Sequence, residues 1–206
     1  MNREVIKLED AGILVWELTE TADALKGQLN LIESDRIIYE KIVSDKRKLE
    51  FLGIRIALKK LLGKEIQIVY DQEGKPHLSD NSYQISVSHS NEWIAVVAHP
   101  NRKVGIDIEC PTDKILKLYT RFLSPTEQSE LSNGKVVNQL LLAWSAKEAL
   151  YKIIGKEAID FASQLRIFPF EVKPSGEINA QHIPDHTTYH LHYLQNERYT
   201  LVYCLK

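Results

Sequence analysis

Cysteine is scarce in this sequence of 206 residues, where Cys110 and Cys204 are the only two. Two cysteines are too few for a disulfide-stapled scaffold or for a zinc site made of cysteine alone, so free thiols and a cytoplasmic location are expected. No apolar run approaches the roughly 20 residues that a membrane-spanning helix requires. The opening residues, MNREVIKLED, lack the apolar core of a signal peptide. We therefore expect no membrane partner.

A large excess of charge of either sign is also absent. The formal net charge of −2 argues against nucleic acid as a partner. The charge is uneven along the chain, because residues 41–64 carry eight lysines and arginines against only Asp45 and Glu50. This basic segment suits phosphate groups or an acidic partner, although a solvated helix face gives the same pattern.

The order of predicted elements occurs twice along the chain. Each half shows a strand, then helices, then a second strand, then a hairpin, with no residue-by-residue repeat. These patterns lie at residues 12–18, 34–62, 65–71 and 83–99 in the first half, and at 104–109, 112–155, 165–172 and 189–205 in the second. We predict an α+β fold of two pseudo-symmetric α/β halves, residues 1–101 and 102–206, with a cleft between them. Such clefts are common ligand sites.

The strand RKVGIDIECP, residues 102–111, carries two carboxylates in an otherwise apolar sequence. Side chains alternate along a strand, so Asp107 and Glu109 share one face with Gly105, roughly 6.5–7 Å apart. Neighbouring anions repel, and a divalent cation such as Mg²⁺ would relieve this repulsion. Gly105 leaves room for a ligand or another backbone. The alternative is an edge strand with one charged, hydrated face.

The helix AWSAKEALYKIIG, residues 143–155, is the second stretch whose side chains could take part in catalysis or binding. Trp144, Glu148 and Lys152 follow one face at 100° per residue, and Lys147 lies beside them. Glu148 could be a third oxygen ligand or a general base, and Lys147 and Lys152 could neutralise phosphate oxygens. An ordinary stabilising pair between Glu148 and Lys152 is the alternative.

Two shorter segments complete the set. Gly74-Lys75-Pro76 is a turn that presents a lysine, and Ser88-His89-Ser90 ends a strand at a turn. Each is weak alone, because turn lysines and turn histidines are common.

In this order and spacing, the four segments resemble the motifs of 4′-phosphopantetheinyl transferases. The similarity is to the larger, monomeric, two-halved type that activates surfactin synthetase and related systems. The stretch RFLSPTEQSEL, residues 121–131, also resembles the family, and the similarity spans about residues 46–155.

The resemblance implies transfer of the 4′-phosphopantetheine arm of coenzyme A to a serine of an apo acyl or peptidyl carrier protein, with release of adenosine 3′,5′-bisphosphate. It implies Mg²⁺, or Mn²⁺, on Asp107, Glu109 and Glu148, with Glu148 and Lys152 as catalytic residues. The acidic carrier is expected to dock against residues 111–124, where Leu116, Leu118, Tyr119 and Phe122 lie among basic residues. The residues expected to bind coenzyme A are Arg47 (with Lys48 and Arg55 as alternatives), Lys75, Ser88, His89, Lys147 and Lys152.

Two other functions remain open from the sequence. A metal-dependent phosphodiesterase could use the same three acids with an activated water. A non-catalytic module could bind coenzyme A or a carrier protein. A zinc site at His190 and His192, which would share a strand face, is disfavoured.

Overall fold

The computed structural model describes residues 3–8, 10–131, 136–155 and 158–206. The α+β class is confirmed, and the chain divides into two compact units, residues 1–101 and 102–206. The cleft expected between the halves stays a prediction. In the described ranges, no helix is both long and apolar enough to cross a bilayer.

The described residues of the first unit form a four-stranded sheet, a two-stranded hairpin and three helices. Its sheet has the order β1-β2-β6-β5 and is antiparallel throughout, and β3 pairs with β4. The elements are β1 Arg3–Lys7, β2 Gly12–Glu17, α1 Ala22–Lys26, α2 Glu33–Lys41, α3 Asp45–Leu62, β3 Ile68–Tyr70, β4 Pro76–Leu78, β5 Gln84–Ser90 and β6 Trp93–His99.

The helical pattern of residues 34–62 forms two helices rather than one. Ser44 lies between them in an extended conformation, and its side chain accepts a hydrogen bond from the backbone N–H of Arg47 as the N-cap of α3. Gly63 ends α3 in the left-handed conformation that glycine adopts without strain. The apolar face of α3 packs on β2 and β6 to form the core of this unit.

The second unit has a five-stranded antiparallel sheet of order β7-β11-β10-β9-β8. A 3₁₀ helix covers Asp113–Lys117, and another covers Ile183–Asp185. The remaining elements are β7 Val104–Glu109, α4 Tyr119–Phe122, α5 Pro125–Glu130, α6 Val137–Ile154, α7 Phe161–Gln164, β8 Leu165–Ile167, β9 Ser175–His182, β10 Thr187–Gln195 and β11 Thr200–Leu205.

Two helices of this unit carry clear capping residues. Ser124 and Glu127 form a reciprocal capping box at the start of α5, with Pro125 in the first turn. Gly155 ends α6 in the left-handed conformation.

The two units share an arrangement of three neighbouring strands, β2-β6-β5 in the first and β7-β11-β10 in the second. In each, the first strand of the pattern pairs antiparallel with the last strand of the hairpin, β2 with β6 and β7 with β11. A long helix, α3 or α6, packs on that pair. The doubled order in the sequence therefore corresponds to a doubled local topology.

Three strands were not predicted, namely β1, β4 and β9. Strand β1 is an edge strand with charged residues at both ends, and β9 buries only Ile178, Ala180 and His182, so neither has strong apolar alternation. The broken strand predicted at 165–172 is reduced to β8.

Candidate active site

Strand β7 lies against helix α6 through the face that carries the two carboxylates. A Cβ atom on Gly105 would lie 2.1 Å from the carbonyl oxygen of Ala149, so only glycine permits this approach of helix to strand. The room at Gly105 is therefore filled by another backbone, one of the two predicted occupants. Because alternate residues share a face, Asp107 and Glu109 also face α6.

Asp107 is buried, with 4% of its surface exposed, and it pairs with a lysine of α6. The Nζ atom of Lys152 lies 2.9 Å from Oδ1 of Asp107 and donates a second hydrogen bond of 2.8 Å to the carbonyl oxygen of Ile106. These contacts hold the ammonium group of Lys152 beside the carboxylate of β7.

Glu109 contacts an aromatic residue of the same helix. The indole Nε1–H of Trp144 donates a 3.0 Å hydrogen bond to Oε1 of Glu109. The ring of Trp144 is itself packed edge-to-face on Phe122, with centroids 5.1 Å apart, which fixes the indole. Trp144 thus orients Glu109, a role that the sequence analysis did not assign to it.

Glu148 lies in the same acidic environment and is half-buried. Burial, followed by the charge of Asp107, raises the pKa of Glu148 from 4.5 to about 7; Glu109 adds to the rise, and Lys152 opposes it. A carboxyl group that titrates near neutral pH is suited to accept a proton from a hydroxyl group.

The donor set of this site has the chemistry of a magnesium site, because carboxylate oxygens are the ligands that Mg²⁺ prefers. The charges of Asp107 and Glu109 both act on Glu148, which places the three acids in one electrostatic environment. As oriented, Asp107 contacts Lys152 and Glu109 contacts Trp144. Over the described parts of the chain, no three His, Cys, Asp or Glu side chains form a group able to hold one ion. Joint ligation by the three acids therefore stays a prediction.

Lys147 does not belong to this site, which corrects its expected role as a phosphate contact. Its side chain is fully buried and forms an ion pair of 2.8 Å with Glu127, which is equally buried. Its ammonium group also donates hydrogen bonds of 2.7–2.8 Å to the carbonyl oxygens of Phe122, Phe161 and Leu165. Burial lowers the pKa of Lys147, and the Glu127 carboxylate opposes that shift. Because these four buried partners occupy the ammonium group of Lys147, it is not available to contact a phosphate.

The first unit carries the other predicted binding residues. His89 is exposed near the end of β5, and its Nδ1 atom lies 3.4 Å from Oε1 of Glu50 on α3. Lys46 is 4.0 Å from the same carboxylate, so the basic start of α3 lies beside His89. Arg47 is exposed in the first turn of α3, whereas Ser88 is buried in β5.

Arg55 is removed from the candidates for the 3′-phosphate. Its guanidinium group donates hydrogen bonds of 3.0 and 2.7 Å to the two carboxylate oxygens of Asp35, and both residues are buried. A bidentate buried pair of this kind is structural. Arg47 and Lys48 remain, since neither is buried.

Lys75 lies in the turn between β3 and β4 and is half-buried. Strand β4 follows it directly and packs against β5, which carries Ser88 and His89. Contact between Lys75 and the nucleotide phosphates stays a prediction.

The partners of Lys147 and Lys152 were not recognised from the sequence. Glu127 caps α5, and its side chain also accepts a hydrogen bond from the backbone N–H of Ile167. A glutamate at the third position of α5 gives no signal for a partner twenty residues away.

Comparisons with known proteins identify a family and several relatives. A family model described as the 4′-phosphopantetheinyl transferase superfamily matches residues 103–204, a range that includes β7 and α6. A 4′-phosphopantetheinyl transferase of Bacillus subtilis is 29% identical over 160 residues, which cover 74% of this chain and 69% of the relative. The transferase AcpT of Salmonella typhi is 30% identical over 123 residues, or 57% of this chain and 64% of that protein. The transferase Sfp of Bacillus subtilis strain 168 is 28% identical over 125 residues, or 59% and 54%.

The matches thus span between about half and about two thirds of these relatives. The family model and these relatives carry the name of the family that the sequence motifs resemble. Those motifs include Asp107, Glu109, Trp144, Glu148 and Lys152. The chain belongs to the 4′-phosphopantetheinyl transferase superfamily.

Proposed function

We propose that this protein transfers the 4′-phosphopantetheine moiety of coenzyme A to a serine of an apo acyl or peptidyl carrier protein and releases adenosine 3′,5′-bisphosphate. The observation that carries the proposal is the position of Glu148, whose pKa is raised to about 7 beside two acids of β7 and a lysine of its own helix. The membership of the chain in the 4′-phosphopantetheinyl transferase superfamily supports the same reaction.

In the proposed reaction the carrier serine hydroxyl attacks the β-phosphorus of the coenzyme A pyrophosphate. A bond forms between the serine oxygen and phosphorus, and the bond from phosphorus to the bridging oxygen breaks. The adenosine bisphosphate leaves with that electron pair. This chemistry depends on positioning and on charge stabilisation rather than on covalent catalysis.

Glu148 is the proposed acceptor of the serine proton, since it is a half-buried carboxyl group on the same helix as Lys152 and lies near the charges of Asp107 and Glu109. Lys152 stabilises the charge that develops on the leaving bisphosphate. The contact of Lys152 with Asp107 holds its ammonium group at the face of β7 that this chemistry uses.

Asp107, Glu109 and Glu148 are the residues that would hold Mg²⁺, or Mn²⁺. A divalent cation supplies charge neutralisation to the pyrophosphate oxygens when bound. Arg47, Lys75, Ser88 and His89 are proposed to contact the nucleotide phosphates. The proposal also includes a monomeric state and a cytoplasmic location, as expected from the family resemblance and the free thiols.

The carrier is proposed to dock on a surface formed by Lys114, Leu116, Lys117, Leu118 and Arg121, which we call the docking patch. Leu116 and Leu118 are 37% and 40% exposed, and the three basic residues are also exposed. This charge suits an acidic carrier. Phe122, which was expected on the patch, is a core residue with 2% exposure.

The test is a mass measurement. The protein is incubated with an apo-carrier, coenzyme A and Mg²⁺, and the carrier is weighed. We expect a gain of one phosphopantetheine arm on its serine. Hydrolysis of coenzyme A with no gain in carrier mass would indicate a phosphodiesterase, and binding without reaction would indicate a non-catalytic module.

A further inference from the structure

The turn between β3 and β4 is organised around the carboxylate of Asp71. Its Oδ1 atom accepts hydrogen bonds from the backbone N–H groups of Glu73 at 3.0 Å and of Lys75 at 2.8 Å. The backbone N–H of Asp71 donates to the carbonyl oxygen of Lys75, and that of Gly74 donates to the carbonyl oxygen of Asp71, both at 3.1 Å. Gly74 adopts a φ of +80°, which a residue with a side chain rarely adopts.

His77 braces the other oxygen of the same carboxylate. Its Nε2 atom lies 2.9 Å from Oδ2 of Asp71. The strand that carries His77 is anchored in the core by the next residue, Leu78, which is 2% exposed and pairs with the buried Ile68 of β3. The hydrogen bond from His77, and then that from the Lys75 backbone, hold the pKa of Asp71 below its usual value. The carboxylate therefore links the turn to the anchored strand.

We propose that Asp71, braced by His77, is a positioning residue that fixes the backbone of Lys75 so that its ammonium group meets the phosphates of coenzyme A. The inference rests on the proposed function. Neither Asp71 nor His77 belongs to the motifs that carry the family resemblance, and they act through Lys75 rather than on the substrate.

Because Asp71 is negatively charged, an electrostatic role and a positioning role predict opposite changes in the affinity for coenzyme A when the carboxylate is removed. An anion next to a phosphate-binding lysine repels phosphate by Coulomb interaction, so a purely electrostatic role predicts tighter binding of coenzyme A when the carboxylate is removed. A positioning role predicts the opposite, since the freed turn must be ordered again on binding.

The experiment compares Asp71→Ala, Asp71→Asn and His77→Ala with the wild type in steady-state transfer to an apo-carrier. We expect Asp71→Ala to raise the KM for coenzyme A by about three- to tenfold, the scale of one lost hydrogen bond, with kcat within about twofold. His77→Ala raises it less. Asp71→Asn retains an acceptor for the turn and a donor for His77, so it restores most of the affinity. Gln72→Ala, an exposed and uncharged change in the same turn, is the control and leaves both constants unchanged.

A double-mutant cycle tests whether Asp71 acts through Lys75. If it does, adding Asp71→Ala to Lys75→Ala raises the KM no further than Lys75→Ala alone. Additive effects, or a KM that falls in Asp71→Ala, would overturn the inference. A change confined to the thermal midpoint, with kcat and KM intact, would also overturn it by reducing Asp71 to a structural residue. A wild type that transfers nothing to any carrier would overturn the proposed function instead.

Discussion

Lys147 and Glu127 form an ion pair of 2.8 Å whose two side chains are fully buried. The pair joins α6 to α5, and the same ammonium group donates to the backbone at Phe161 and Leu165. The residue that precedes the proposed base is therefore part of the interior.

The first prediction concerns this pair. Lys147→Met should lower the free energy of unfolding by about 3–5 kcal/mol, because it leaves the Glu127 carboxylate buried without its cation. Urea denaturation measures the change. Lys173→Met is the matched control, since its ion pair with Glu171 is exposed, and it should have no measurable effect. Equal losses in the two variants would contradict the structural role of Lys147.

A second prediction uses the contact between β7 and α6. Gly105→Ala should destabilise the protein by about 1–3 kcal/mol or more, because its Cβ would overlap the carbonyl oxygen of Ala149. Gly27→Ala is the control: its φ is −63° and its Cβ would meet no atom closer than 3.7 Å. That variant should be neutral or more stable by about 0.4–1 kcal/mol. The packing of α6 on β7 would have to be reconsidered if Gly105→Ala melted at the wild-type temperature.

The third prediction concerns pH in the metal-free protein. The pKa of Glu148 is 4.5 without the fold and about 7 within it, so folding favours its protonated form. Its contribution to stability is complete below the lower value and is lost as pH rises through about 7. Relative to Glu148→Gln, the wild type should therefore lose free energy of unfolding between about pH 5 and about pH 8. Measurements in a chelating buffer at both values test this, and parallel pH profiles for the two proteins would rule out the raised pKa.

A fourth prediction concerns the acids of β7. Asp107→Ala should abolish transfer while the circular dichroism spectrum is retained, and a chelator should stop the wild-type reaction until Mg²⁺ or Mn²⁺ is restored. Glu177→Gln, which changes an exposed acid of β9, is the control and should transfer normally. Robust modification of the carrier by Asp107→Ala would refute the metal assignment.

The fifth prediction concerns the docking patch. Lys117→Glu combined with Arg121→Glu should raise the KM for the carrier, because like charges then face an acidic partner, while the KM for coenzyme A stays unchanged. Leu118→Ser should act in the same direction by removing exposed apolar surface. Lys173→Glu, at an exposed lysine elsewhere in the second unit, should change neither constant. A uniform loss of activity with both substrates would place the effect outside docking.

Local signals in the sequence are sufficient to predict several helix ends and the face of β7 that carries two acids of the site. Ser124, Glu127 and Gly63 act within a few residues of their own position, so the helix ends that they form can be recognised without the fold. The alternation along β7 likewise put Asp107 and Glu109 on one face, because side-chain direction in a strand depends only on position.

The partners and the exposure of the two lysines of α6 depend on the tertiary structure alone. Lys147 precedes Glu148 and Lys152 follows it by one helical turn. The sheet covers one side of α6, and the 3₁₀ helix Asp113–Lys117, α4 and the ring of Phe161 cover the other. Lys147 meets a buried carboxylate from α5, and Lys152 meets Asp107 from β7 while remaining 24% exposed. Which lysine stays available for chemistry depends on partners that are distant in sequence, and only the packed chain brings them together.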